Sequence, residues 1–552
     1  MNALDRLTAA DAMRRLAERD ASLYAATAQE RMPIGHRLGW TGLAAKADSR
    51  LPLLANLATA METEGFTDVV LLGMGGSSLT PLVISRVIGS AEGSPALHVL
   101  DTTSPVAVRA LMDTLEPEHT HVLLASKSGT TIEPLTLYAI LRPWIDQAVG
   151  RTAAGRHFTV ITDPGSPLEH LRQRDLMRVT LTAPATVGGR YSALSMFGLA
   201  PAALIGVDMP LFIERAAIME TACHQPSADN PGAQLAAWLA DAAGAGRDKL
   251  MLVCSPRLRP LCLWIEQLVA ESLGKNGAGM VPVVACGELK AAVSGPDRAV
   301  VVVHEADDSA LPARAQQAAD EAPLMAIELA SVYELGAEFL RWEYAVALAG
   351  FLLGANPFDE PNVAEAKQAT LHMLDGSLTP PRATTDVDGT WVTYAGALEA
   401  PSAPPANRIE ALRALLGSLQ AGDYLALLAY LPEDGALLTP LYGAAETVMR
   451  EARCPVCVEL GPRYLHSTGQ LHKGGPDTGA FLMITARDRT DIEVPGKPYT
   501  LATLHRAQAE GDLVTLAAHG RRVLRLDLPD LGPATLASLA EDIKAAASTA
   551  AR

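Results

Sequence analysis

At 552 residues, 49% of them hydrophobic, the chain has material for roughly two to four domains, or for one large body with appended lobes, and reads as globular. Its 62 acidic against 45 basic side chains give a formal charge of −17, which excludes general affinity for nucleic acid or anionic lipid and confines any anion site to local groups. The longest apolar runs, such as Tyr344 to Leu353, are too short to cross a bilayer, and no charged-then-apolar leader opens the chain, so a cytoplasmic protein is expected.

Residues 1–55 read as a helical segment in which Leu7, Met13, Leu16 and Leu23 share a loosely periodic face, a lobe for packing rather than chemistry. From Thr67 strands and helices alternate. D-V-V-L-L leads through G-M-G-G-S-S to a helix from about Leu79 to Ile88. Then come L-H-V-L-D at 97–101, a helix after Pro105, a strand over His121 to Ala125, a helix over Ile132 to Ala148, and F-T-V-I-T at 158–162. Strands separated by such helices imply right-handed crossovers, so a doubly wound, mostly parallel α/β sheet is expected over 56–230. Near Lys249 a second α/β unit begins, spanning 231–378. It has L-M-L-V-C, a helix over about Leu261 to Leu273, the runs M-V-P-V-V-A and A-V-V-V-V-H, and a long buried helix at 335–354. After Thr379, P-P-R-A-T-T-D-V-D-G and A-P-S-A-P-P-A-N read as connections. A third α/β portion, 379–552, follows with strands at 424–431, 455–460, 480–485 and 523–528 and a closing helix from about Thr535.

The six cysteines do not form a secreted disulfide framework. Cys454-Pro-Val-Cys457 is the one zinc-like or redox-like spacing, but it lacks a second pair and enters a strand, so structural thiols and no metal are expected.

Two strand ends carry hydroxyl-rich turns. After the third strand, Ser126, Ser128, Thr130 and Thr131 surround Lys127 and Gly129 at the start of a helix, where unpaired N–H groups and the peptide dipole suit a phosphate. An ordinary Ser/Thr helix cap would use the same residues. After the first strand, Gly75 and Gly76 precede Ser77; glycines there let the backbone come close to a ligand. A dinucleotide site fits poorly, because the full G-x-G-x-x-G spacing is missing. Further on, Gln267 and Glu271 share a helix face, while Glu271 and Lys275 stand in the order of a surface ion pair. The segment R-Y-L-H-S-T-G-Q-L-H-K-G-G at 463–475, with two histidines, a glutamine and several glycines, reads as a loop between strands rather than as core.

G-M-G-G-S at 73–77 and S-K-S-G-T-T at 126–131 resemble the sugar-isomerase (SIS) domain, and V-G-G-R-Y-S at 187–192 resembles a signature of the glucose-6-phosphate isomerase family. The resemblance implies two SIS-like units before the C-terminal α/β portion. It places Gly75, Gly76, Ser77, Ser126, Lys127, Ser128, Thr130 and Thr131 around a sugar phosphate and Arg190 beside the reacting carbons. W-I-E-Q-L-V-A-E-S-L-G-K-N-G is similar to the segment carrying the catalytic base, with Glu271 in that position and Gln267 beside it. A-N-P-F-D-E-P-N-V-A-E-A-K is similar to the second signature, ending at the active-site Lys367, although Glu360 replaces a usual glutamine and Asn362 a usual glycine. His466, with Gln470 and His472 nearby, matches the ring-opening histidine motif. It departs from the common order by following Lys367, which leaves His304 in reserve.

The activity implied is aldose–ketose isomerisation between glucose 6-phosphate and fructose 6-phosphate through a cis-enediol, in glycolysis and gluconeogenesis, with no metal or organic cofactor. Alternatives are an isomerase that also takes mannose 6-phosphate and a non-catalytic phosphosugar-binding regulator. The resemblance also implies a homodimer with composite sites. The opening segment and the C-terminal portion resemble the isomerase half of bifunctional transaldolase/glucose-6-phosphate isomerase chains, hence a functional link to a transaldolase.

Overall fold

The computed structural model describes residues 2–382 and 385–550; residues 383–384, inside the stretch read as a connection after Thr379, lie outside the described residues, as do residues 1, 551 and 552. Fifteen strands are described, in three sheets. The first contains β1 (Asp68–Leu72), β2 (Ala96–Leu100), β3 (Thr120–Ala125), β4 (Phe158–Thr162) and β5 (Val179–Thr182), in the order β2-β1-β3-β4-β5 and parallel throughout. The second contains β6 (Lys249–Cys254), β7 (Val281–Val284), β8 (Arg298–Glu305) and β9 (Leu324–Leu329), in the order β7-β6-β8-β9, again all parallel.

The third sheet is mixed. Its parallel strands β12 (Tyr424–Ala429), β13 (Val456–Leu460), β14 (Gly479–Ala486) and β15 (Arg522–Leu528) are extended by an antiparallel pair, β10 (Thr385–Val387) and β11 (Thr390–Gly396). That pair falls partly in the stretch expected to be a connection. Asp388 and Gly389 at its turn both have positive φ, 51° and 77°, the requirement of a two-residue type I′ hairpin that an Asp-Gly dipeptide meets. Counted within each sheet, the parallel strands run 2-1-3-4 in all three, the order in which the strand ends after the first and third strands become neighbours at a topological switch point.

Alternation along the strands explains how the layers stack. Val69, Leu71 and Leu123 face a core shared with Leu7, Met13, Leu16 and Leu23 of the N-terminal helices and with Leu250, Leu252 and Val301 of the second sheet. Their neighbours Val70, Leu72, Val122 and Leu124 face the opposite way, onto Ile492, Val494 and Leu501 from the C-terminal portion. Met251, Val253, Val300 and Val302 of the second sheet pack against the third sheet. The two parallel sheets are therefore covered on both faces, as their continuous apolar runs require, and each fully buried Val or Leu contributes about 1.5–3 kcal/mol. The C-terminal portion is packed against both other units. Among the described residues no helix is long and apolar enough to cross a membrane. All six cysteines are free, with Cys454 and Cys457 buried.

Candidate active site

The turn after β1 ends sooner than its spacing suggests, because the helix begins at Gly76 and runs to Val87, which places Ser77 and Ser78 in its first turn. The glycines serve approach by the protein itself. A Cβ on Gly76 would lie 1.9 Å from the Gly189 carbonyl oxygen, and one on Gly75, whose φ is +57°, would lie 3.0 Å from the His466 carbonyl oxygen. Absent side chains thus let the V-G-G-R-Y-S turn and the histidine segment close directly onto the first strand end.

The turn after β3 is held by its own hydroxyls: Ser126 Oγ lies 3.0 Å from Thr131 Oγ1, Ser128 Oγ lies 2.9 Å from Thr130 Oγ1, and Ser126 Oγ accepts from the Gly129 N–H at 3.2 Å. Thr131 occupies the cap position of the helix Ile132–Val149 without a side-chain bond to it, so the ordinary Ser/Thr cap is not the arrangement found. The Gly76–Val87 helix also starts with no side-chain cap. Two helix starts without a side-chain cap therefore meet beside one another, although in the first the Ser77 and Ser78 N–H groups donate to the Met74 and Gly75 carbonyls at 3.2 and 3.0 Å. Lys127 forms an ion pair with Asp163 and donates to the Ala185 carbonyl at 3.3 Å, so its charge is fixed rather than solvated.

These turns form one wall of a cavity of about 420 Å³. Gly75, Gly76, Ser77, Ser126, Lys127, Ser128 and Thr131 line it together with Arg190, Gln267, Glu271, Lys367 and His466. Thr130 does not; it faces a neighbouring cavity of about 180 Å³ on the other side of His466 and Lys367. The N-terminal lobe, expected only to pack, contributes His36 and Arg37 to the main cavity. A larger cleft of about 810 Å³ lies between the β2 edge of the first sheet and the third unit, away from these groups.

Arg190 is buried and held from every side. Its Nε donates to Ser272 Oγ at 2.8 Å, one terminal nitrogen to the Pro357 and Asp359 carbonyls at 2.7 and 2.9 Å, and the other to Glu360 Oε2 at 3.0 Å, with Glu271 Oε1 3.6 Å away. Burial pushes the Glu271 carboxyl above the ordinary glutamate range, against the pull of Arg190. Burial acts the same way on Glu360, but the Arg190 and Arg37 guanidiniums outweigh it and hold that carboxyl low. The pairing of Glu271 with Lys275 suggested by their spacing does not form at a surface. Both are buried, and Lys275 turns to Asp359 Oδ1 at 2.7 Å and the Asn356 carbonyl at 2.6 Å, while burial lowers it to about 8.

The segment at 463–475 is a second correction: it is core. Residues Gly469–Gly474 form a short helix in which Gln470, Leu471, His472 and Lys473 are all buried, with Gln470 paired to the second unit and His472 and Lys473 to Glu459 and Asp512 of the third, which a loop reading does not foresee. Gln470 accepts from the Asn362 N–H at 2.8 Å and donates to the Gly274 carbonyl at 3.1 Å, bracing the approach to the Lys367 helix (Val363–Leu374). His472 lies away from the cavity, between Tyr424 and Glu459. His466 enters the cavity with Nε2 2.9 Å from Glu133 Oε1. Burial works to raise Glu133, but His466 outweighs it and the carboxyl sits low; it also accepts from Gln508 Nε2 at 2.7 Å. An ionised Glu133 places the imidazole proton on Nε2 and leaves Nδ1 as the other nitrogen. Gln267 ties base helix to histidine segment by donating to Glu271 Oε2 at 3.2 Å and to the His466 carbonyl at 2.8 Å. His304 is buried with Nδ1 on the Glu305 carbonyl at 3.0 Å and does not line the cavity.

Sequence reasoning missed Glu133, Asp163, His36 and Arg37. Glu133 directly follows S-K-S-G-T-T-I, and a carboxylate in the first turn of a helix reads as ordinary dipole compensation. Its partner is 333 positions away, and nothing local announces that.

Residues 59–286 match the family model described as phosphoglucose isomerase. The glucose-6-phosphate isomerase of Rubrobacter xylanophilus is 31% identical over 364 residues, covering 57% of this chain and 84% of that protein. That of Symbiobacterium thermophilum is 28% identical over 388 residues, covering 61% and 86%. The crystal structure of a glucose-6-phosphate isomerase from Chlamydia trachomatis superposes with a TM-score of 0.56 at 17% identity, over 68% of this chain and 86% of that one, a likeness of fold.

Proposed function

The chain belongs to the phosphoglucose isomerase family, and on that premise we propose that it interconverts glucose 6-phosphate and fructose 6-phosphate through a cis-enediol, the step shared by glycolysis and gluconeogenesis. One observation carries the reading: a single cavity of sugar-phosphate size brings Glu271, Arg190, His466 and Lys367 together with two uncapped helix starts. The phosphate occupies the turns at 73–78 and 126–131, where backbone N–H groups, hydroxyls and Lys127 supply remote binding energy that orients the reacting carbons.

His466, fixed through Nε2 by Glu133, takes the proton of the anomeric hydroxyl on Nδ1 while Lys367 gives one to the ring oxygen, so the C1–oxygen bond of the ring opens. The open chain then offers C2 to Glu271, whose carboxylate removes the proton and returns it to C1. Burial makes that carboxylate a stronger base than an exposed one. Arg190, immobilised before substrate arrives, stabilises charge developing on the enediol oxygens without reorganising. Glu360, in place of the usual glutamine, holds Arg190 by charge rather than by a neutral hydrogen bond.

Glu271→Gln tests the base assignment in an enzyme-linked assay started from fructose 6-phosphate. Turnover is expected to fall by about 10²-fold or more while sugar-phosphate binding persists; unchanged turnover overturns the assignment.

A further inference from the structure

Away from the cavity, three side chains with metal-ligand atoms meet where the helix Arg259–Leu273 packs near β13. Glu266, Cys457 and Glu459 each bring one such atom within 4.8 Å of the other two. Cys457 is 3% exposed and Glu459 4%, whereas Glu266 is half-buried. Oε2 of Glu459 is occupied: it accepts from Thr468 Oγ1 and lies 2.9 Å from His472 Nε2. Oε1 of the same carboxylate is buried without a hydrogen-bond partner among the described residues. An interior carboxylate oxygen left unfilled is destabilising, and a second carboxylate beside it adds repulsion. Among the described residues the Cys457 thiol makes one long contact, 3.7 Å to the Pro282 carbonyl. Cys454 points elsewhere, to the Asp423 carbonyl at 3.5 Å, so the Cys-x-x-Cys spacing is not what assembles the group.

We propose that Glu266, Cys457 and Glu459 bind one divalent cation of the zinc class. Two carboxylate oxygens and a thiolate give a mixed hard and soft donor set of total charge −3, suited to Zn²⁺ or Co²⁺ rather than to Mg²⁺ or Ca²⁺, with the fourth position open to water on the Glu266 side. On binding, the Cys457 sulfur–metal bond replaces its S–H bond, and the proton leaves to solvent. His472, oriented by Tyr424 Oη 3.0 Å from its Nδ1, holds the other oxygen of Glu459 as an outer-shell partner. The ion pins the helix that carries Glu271 to the strand whose Glu459 anchors Thr468 and His472, and so stiffens the segment that delivers His466. The site itself does not depend on which sugar is isomerised.

The chelator-treated full-length protein is titrated with Co²⁺ and, separately, dialysed against Zn²⁺. One equivalent per chain is expected, with a thiolate-to-cobalt charge-transfer band in the near ultraviolet, and Zn²⁺ raises the thermal midpoint. Cys457→Ser loses the band and Cys454→Ser keeps it; Glu266→Gln, at the half-buried position, folds normally but loses the Zn²⁺-dependent rise. Absence of the band in the folded wild type, or its survival in Cys457→Ser, overturns the site.

Discussion

Glu271 illustrates how a residue acquires its chemistry from position. Its place near the end of a helix suggests that the peptide dipole raises its proton affinity, yet burial is the larger cause, with Arg190 opposing it. The sign of the resulting pH dependence follows directly. The base works only ionised, so activity falls as pH drops through its pKa, and a raised pKa moves that limb above the value of about 4.3 for a free glutamate. Arg190→Ala removes the opposing charge and is expected to shift the acid limb of the kcat/KM profile further toward neutrality while lowering its plateau. A limb that stays put, measured across the acid range, would show that the limiting ionisation is not Glu271. Glu133 works through His466 and is a positioning residue. Glu133→Gln keeps a hydrogen-bond acceptor but loses the charge, so a fall in kcat with KM little changed is expected, together with an altered profile; loss of both parameters alike would mark a structural role only.

At the scale of elements, the site is made by turns that close on one another. The Gly76 helix start and the Gly189 carbonyl approach so nearly that an added methyl group cannot be accommodated by a side chain moving aside; backbone must move. Gly76→Ala is expected to destabilise the protein by about 1–3 kcal/mol, read as a lowered thermal midpoint, and to reduce kcat/KM by displacing Arg190. Wild-type stability and activity in that variant would mean that the two turns are freer than their spacing indicates. The elements that escaped sequence reading share a cause. β5 and β9 are edge strands with mixed burial, so their side chains do not show an uninterrupted apolar run, and the β10–β11 hairpin hid its Asp-Gly turn inside a proline-rich approach.

For the whole molecule, the third unit is the decisive component. It repeats the strand order of the other two, covers one face of each, and inserts His466 into a cavity whose base and arginine come from residues upstream of it in the same chain. This arrangement predicts that sites do not depend on exchange between subunits. Mixing Glu271→Gln with His466→Ala protein, each inactive alone, is expected to restore no activity, whereas composite sites across a dimer would recover part of it. The sequence by itself determined the parallel α/β units, the two hydroxyl-rich turns, and the family through Arg190, Glu271 and Lys367, because these depend on periodicity and on short contiguous motifs. Only the tertiary structure decided that His466 rather than His304 reaches the cavity, that Gln470 braces and His472 stays in the core, and that Glu133 and Asp163 hold their partners. Those contacts join residues that are not neighbours in the chain, and their energies come from burial and charge pairing that exist only once the chain has folded.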